Sequence, residues 1–374
     1  MSRYIHQLPD WPGFHWDQET IAAPLADVRH RQGRLLGRME GLGFQLRQEA
    51  ELETLTLDVV KTSEIEGENL NPQQVRSSVA RRLGMDIADA VPADGHVEGV
   101  VRMMLDATQN YDAPLSKGRL FGWHAALFPT GHSGIQKIIV GAWRDDAKGP
   151  MQVVSGPMGR DSVHYEAPPA SLLDAELTRF IAWANREEGT DPVLKSAMAH
   201  LWFVAIHPFD DGNGRIARAI ADWVLAASEK SAQRFYSMSA QIGIERNEYY
   251  DILEHTQKGS LDITAWLQWF VGCLGRALDG MENTLAAVLR KARFWEAWTR
   301  VPLNDRQRLI LNRLLDGFEG NLTSSKWAKI AKCSQDTAGR DIQALIEAGI
   351  LVKDLAGGRS TSYSLKERGA QFDD

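Results

Sequence analysis

Apolar positions recur at helical spacing from Pro24 to Glu66, and Gly41 and Gly43 divide that run into two predicted helices. Val59 and Ile65 lie on the apolar stripe of the second, and Gly67 supplies its stop signal. Residues 96 to 128 carry two more helical patterns around the turn at Asp112–Pro114. Met151–Val154 and Val163–Tyr165 flank a Gly/Pro turn, which predicts a β-hairpin. Helical periodicity resumes over Ser171–Asn185, Lys195–Ile206, Gly214–Ser228, Arg246–Gln257 and Ile263–Arg300. After Pro302 and Asn304, the pattern predicts helices at Asp305–Leu315, Ser325–Ala331 and Gln335–Glu347, then two short strands in AGILVKDLAGGRSTSYSL. That order is the order of a winged helix-turn-helix. At the other end, Tyr4, Trp11, Phe14 and Trp16 around Pro9 and Pro12 predict an extended segment pinned by its rings. The fold class expected is mainly α.

Composition narrows the setting. A chain of 374 residues is too long for one ordinary core, and the punctuation divides it into 1–90, 91–300 and 301–374. A net charge of -7 leaves no global basic field for nucleic acid or an anionic membrane, although a local basic face is compatible with it. Cys273 and Cys333 stand far apart, giving neither a disulfide framework nor a zinc cluster, so a reducing compartment is expected. The start lacks a basic segment followed by an apolar run, and no apolar stretch approaches the roughly 20 residues of a membrane span. The expectation is a soluble cytoplasmic protein with no membrane partner.

The richest chemistry lies in HPFDDGNGRIAR, residues 207 to 218. It follows a helical run that ends near Pro208 and precedes another. Gly212, Asn213 and Gly214 thus form a tight turn at a helix N-terminus, where free N–H groups and the helix dipole favour an anion such as phosphate. His207 is a candidate general base. Asp210 and Asp211 offer hard oxygen ligands for Mg²⁺ on phosphates. Arg215 and Arg218, three apart, share a helix face and can fork onto phosphate oxygens. Base, metal ligand, amide cradle and two cations point to phosphoryl or nucleotidyl transfer. The spacing fits neither a Walker A loop nor GxGxxG after a strand, and GHSG at 131–134 lacks the GxSxG spacing and is expected to be a turn. His200 and His207 with Asp211 lack a third nitrogen ligand for zinc.

HPFDDGNGRIAR resembles the signature of the Fic family, HxFx(D/E)GNGRxxR, at His207, Phe209, Asp211, Gly212, Asn213, Gly214, Arg215 and Arg218. The resemblance covers roughly residues 50 to 275, including GAWR at 141–144, VHYEAPP at 163–169 and ERNEYYDIL at 245–253. Residues 1–50 resemble a region found before Fic domains. The resemblance implies a Fic-type helical core and transfer of AMP from ATP to a Ser, Thr or Tyr hydroxyl of a target protein. His207 would take the hydroxyl proton, and Asp211 would hold Mg²⁺. The amides of Gly212–Gly214 would cradle the phosphates, with Asn213 and Arg215 touching them. Arg218 would reach the γ-phosphate and Phe209 would anchor the loop. The hairpin at Met151–Gly156, with Met151, Gln152, Val153 and Val154, corresponds to the family's flap and would add a target segment as an edge strand. Tyr249 and Tyr250 are candidates for an adenine pocket, or for apolar packing. Family members often dimerise, so a homodimer is among the expected assemblies.

TSEIEG, residues 62–67, matches the inhibitory pattern (S/T)xxxE(G/N) found in many Fic proteins, with Thr62, Glu66 and Gly67 at the specified places. Acids at a helix C-terminus are mildly unfavourable. The resemblance gives one of them a partner: Glu66 would pair with Arg218 and force ATP into a non-productive pose. Glu64 and Glu68 have no such assignment and are expected to be solvated. A Glu66 carboxylate near Mg²⁺ could also activate water and remove AMP again. In the C-terminal segment, Ser334, Gln335, Thr337 and Arg340 would start a recognition helix, with Arg359 at the wing tip. Acids and bases there nearly balance, which favours protein docking or dimerisation over DNA. The rival reading of the whole chain is a DNA-binding regulator whose core senses a nucleotide; a complete motif with its base favours the enzyme.

Overall fold

A computed structural model describes residues 4–87, 90–155, 162–186, 189–318, 320–354 and 361–366, the side chains of 282–284 excepted. Helices dominate: α1 (Gln18–Glu40), α2 (Phe44–Ile65), α3 (Pro72–Arg82), α4 (Gly95–Gln109) and α5 (Lys117–Leu127) come first. Two hairpins follow, β1 (His132–Ser133) with β2 (Gln136–Lys137), and β3 (Gln152–Ser155) with β4 (Ser162–Glu166). Next come α6 (Leu173–Ala184), α7 (Pro192–Ile206), α8 (Asn213–Glu229), α9 (Met238–Ile244), α10 (Arg246–Gln257) and α11 (Thr264–Ala297). The chain ends in α12 (Asp305–Leu315), α13 (Ser324–Ile330), α14 (Gln335–Glu347) and the antiparallel pair β5 (Leu351–Lys353) and β6 (Tyr363–Leu365). No helix among the described residues is long and apolar enough to cross a membrane.

Two compact units divide at residue 285. In the first, α7 is largely apolar and almost entirely buried, as a helix at the centre of a core must be. It packs on α8, and α2 runs alongside α9. The aromatic N-terminal segment is pinned by its rings as expected, but it is not extended, opening in a 3-10 turn at Ile5–Gln7. Trp11 and Phe14 meet Trp202 of α7 edge-on at 6.2 and 6.1 Å between ring centroids. Trp11 Nε1 also donates to Glu176 at 3.0 Å.

The second unit has the helix, helix, helix, hairpin order expected of it, around Ile310, Leu311, Trp327 and Ile342. Ser334 caps α14 through its hydroxyl. Gln335 and Arg340 are exposed on that helix and Thr337 is half-buried. Arg359 lies outside the described residues, as does Gly156 of the flap hairpin.

Two helices carried weaker signals. Asn71 caps α3 and Pro72 opens it, a legitimate start signal, but few apolar residues follow. Helix α9 lies outside every range predicted from periodicity.

Candidate active site

Helix α7 ends at His207, held in the left-handed region at φ 50, ψ 60. A non-glycine residue there carries backbone strain that its surroundings must offset. Arg144 does so. Its Nε donates to the His207 carbonyl at 2.8 Å, its Nη2 to Pro168 O at 2.6 Å, and its backbone N–H to Pro208 O at 2.9 Å. His207 Nδ1 faces Val204 O at 3.3 Å; a carbonyl only accepts, so the proton sits on Nδ1 and Nε2 keeps its lone pair. Burial pushes the imidazole pKa down to about 4, with the Val204 bond opposing. A neutral imidazole with a lone pair on Nε2 results.

The turn after it is fastened on every side. Phe209 is fully buried and stacks on His124 of α5, centroids 4.2 Å apart. His124 Nε2 lies 3.2 Å from Asp211 O, and its Nδ1 accepts from Gly141 N–H at 3.2 Å. Burial lowers that imidazole pKa to about 4, which suits one donating and one accepting nitrogen. Asn213 spans the turn with its amide, donating to Phe209 O at 2.8 Å and accepting from Phe209 N–H at 3.0 Å. Its side chain therefore closes the loop. Asp210 accepts from Ile139 N–H at 2.8 Å. Asp211 accepts from Gly212 N–H and from the hydroxyl of Ser133. The middle of GHSG, expected to be a turn, is strand β1 of a short hairpin whose turn begins at Gly134. Gly212, at φ 80, is the N-cap of α8, whose first-turn N–H groups have no intrahelical acceptor.

Two of the three acids of the 62–70 stretch, Glu66 and Glu68, converge on that helix. α2 ends in a Schellman motif: Gly67, at φ 82, donates to Glu64 O at 2.9 Å, and Glu68 N–H donates to Ser63 O at 3.0 Å. The left-handed glycine turns the chain so that Glu66 and Glu68 both face α8. Arg218 Nη2 donates to Glu66 Oε1 at 2.7 Å and to Thr62 O at 2.8 Å, while Nε donates to Thr62 Oγ1 at 2.8 Å. Arg218 is only 2% exposed. A Cβ on Gly214 would stand 2.2 Å from Glu66 Oε1, so the carboxylate lies directly against the first turn of α8.

Glu68 differs from its expectation as a solvated bystander. It ion-pairs with Arg215 Nη1 and meets His96 Nε2 at 3.0 Å. The reason is the Schellman turn, which aims its side chain inward. Glu64, by contrast, pairs with Lys61 at the surface at 2.6 Å.

Tyr249 is 2% exposed, its hydroxyl 2.9 Å from the buried His200, so it belongs to the core beneath the site. Tyr250 donates to Ile65 O at 3.2 Å and so fastens the end of α2. In the flap, β3 pairs with β4, and a register shift between Val153 and Val154 leaves His164 opposite no residue. That bulge residue ties Ser155 to Glu254 of α10, at 2.5 and 2.6 Å. Gln152 and Val154 are exposed, Met151 and Val153 half-buried.

The model of the Fic/DOC family matches residues 114–225, and that of a domain of unknown function, DUF4172, matches residues 4–85. Residues 114–225 are thus similar to Fic/DOC domains. Protein adenylyltransferase Fic of Culex quinquefasciatus is 33% identical over 114 residues, 30% of this chain and 21% of that protein. The Drosophila yakuba protein of the same name is 32% identical over 132 residues, 34% of this chain and 25% of that one. The matched part is thus a quarter or less of these relatives. Among solved structures, a Fic family protein from Desulfovibrio desulfuricans G20 aligns with TM-score 0.50 and 20% identity, covering 93% of this chain and 97% of its own. A Fic domain containing signaling protein from Bacteroides thetaiotaomicron VPI-5482 gives 0.52 and 17%, covering 71% and 97%. These likenesses establish the Fic fold.

Arg144, His124, Ser133 and Glu68 contact the residues of this site without having been assigned a role from sequence. GAWR was legible as a family-like stretch, but nothing local said that Arg144 would hold His207. His124 sits alone on its helix and carried no signal.

Proposed function

We propose that the chain is an autoinhibited protein adenylyltransferase, moving AMP from ATP to a Ser, Thr or Tyr hydroxyl of a target protein. One observation carries the reading: a carboxylate of the chain itself, Glu66, lies against the amide-rich first turn of α8 and on the arginine beside it. A site that attracts one anion so closely is built to receive another.

In this reading His207 Nε2 takes the proton of the target hydroxyl. The hydroxyl oxygen bonds to the α-phosphorus as the bond to the bridging oxygen breaks, and pyrophosphate leaves. The first-turn amides of α8, Arg215 and a freed Arg218 stabilise the charge that develops on the phosphates. Asp211 would hold Mg²⁺, which when bound neutralises phosphate charge. A single carboxylate, with no cluster of three or more metal-binding acids, histidines or cysteines among the described residues, suits a cation that arrives on phosphate oxygens and keeps its waters. The exposed strand β3 would pair with a target segment.

The test is incorporation of ATP labelled at the α-phosphate. Label appears on protein with Glu66→Gly and disappears when His207→Ala is added. Transfer of label from the γ-phosphate alone would replace this reading with a kinase-like one. Equal labelling by the parent chain and Glu66→Gly would remove the inhibitory role.

A further inference from the structure

Arg215 and Arg218 lie one turn apart on α8, and each meets a different acid of the same Schellman turn. Glu66 takes Arg218, and Glu68 takes Arg215. The Arg215 side chain is 1% exposed, and its guanidinium sits 5.1 Å from the centre of the Phe128 ring. Its Nε is buried with no hydrogen-bond partner among the described residues. A buried charged donor without an acceptor is costly, and an entering anion would satisfy it. The groups facing Glu68 are Arg215 and His96, which share its Oε2, with the charge of Asp211 nearby. Burial alone would raise the Glu68 carboxyl pKa, yet the His96 bond and the Arg215 charge hold it below the usual range. It is a carboxylate, placed and charged.

We propose that Glu68 is a second restraining carboxylate, competing with nucleotide phosphate for Arg215 as Glu66 does for Arg218. The inference rests on the reading of residues 207–218 as a nucleotide site. Freeing Arg218 alone leaves one edge of Arg215 occupied, so removing Glu66 lifts only part of the restraint. Because both acids hang on one glycine-centred turn, a single shift of that turn withdraws both.

The test is calorimetric affinity of the full chain for Mg²⁺-ATP. In a Glu66→Gly background, Glu68→Gln should tighten binding roughly three- to tenfold, the scale of one charge-assisted contact. Glu68→Ala serves the same purpose should the glutamine variant fail to fold. Glu64→Gln, which removes an equal charge from the same stretch without touching α8, should leave affinity unchanged. Unchanged or weaker binding on losing Glu68, or an equal gain from Glu64→Gln, overturns the proposal. If Glu66→Gly binds no Mg²⁺-ATP, the nucleotide reading falls and takes this inference with it. If it binds and Glu68 does not matter, only this inference falls.

Discussion

The Glu66 carboxylate reaches the Arg218 guanidinium at 2.7 Å across 152 residues of chain, and two Thr62 oxygens accept from the same guanidinium. A hydrogen bond between ionised groups contributes about 1.5–3 kcal/mol. Glu66→Gly should therefore raise AMP transfer roughly 10- to 100-fold, measured as initial rate of α-label incorporation.

Thr62→Val keeps the shape of the side chain and removes the acceptor of Arg218 Nε. A buried donor left unsatisfied costs about 1–3 kcal/mol, so the melting temperature should fall. Transfer should rise, but less than with Glu66→Gly, because Thr62 O and Glu66 still hold Nη2. Calorimetry and label incorporation on the same sample check both.

Gly67→Ala places a Cβ at φ 82, costing about 1–2 kcal/mol in the left-handed region. Both acids hang on that residue, so the variant should be less stable and partly released. A destabilised variant with unchanged transfer would separate the turn from the restraint.

The His207 pKa of about 4 lies below the ordinary imidazole value. A base acts deprotonated, so in Glu66→Gly the transfer rate should stay level as pH falls through about 6.5 and decline only towards about 4. For stability the sign is the same. Below about 6.5 the unfolded chain binds a proton that folded His207 refuses, so this group's contribution is intact above that pH and lost as pH falls towards 4. A rate profile with an acidic limb near 6.5 would place the working base elsewhere.

Most of the helices were legible from residue spacing. The predicted ranges for α10, α12 and α14 coincide with the observed ones, because periodic apolar faces, caps such as Asn304 and Ser334, and glycine stops act within a few residues of themselves. The turn at 208–214 was legible for the same reason: its glycines and its place between two helical runs are local facts.

What the sequence by itself determined is thus the helices, the anion-ready turn and the presence of acids at the end of α2. The Glu66–Arg218 pair was expected only through the family resemblance, and the Glu68–Arg215 pair belongs to tertiary structure. The Schellman turn at Gly67 sends Glu66 and Glu68 to Arg218 and Arg215, while Glu64, two residues before Glu66, turns outward to Lys61. Likewise only packing brings Arg144 to the His207 carbonyl and His124 under Phe209. Helical periodicity is set by contacts three and four residues apart. An ion pair across some 150 residues depends on how α2 packs against α8, which no short-range pattern encodes.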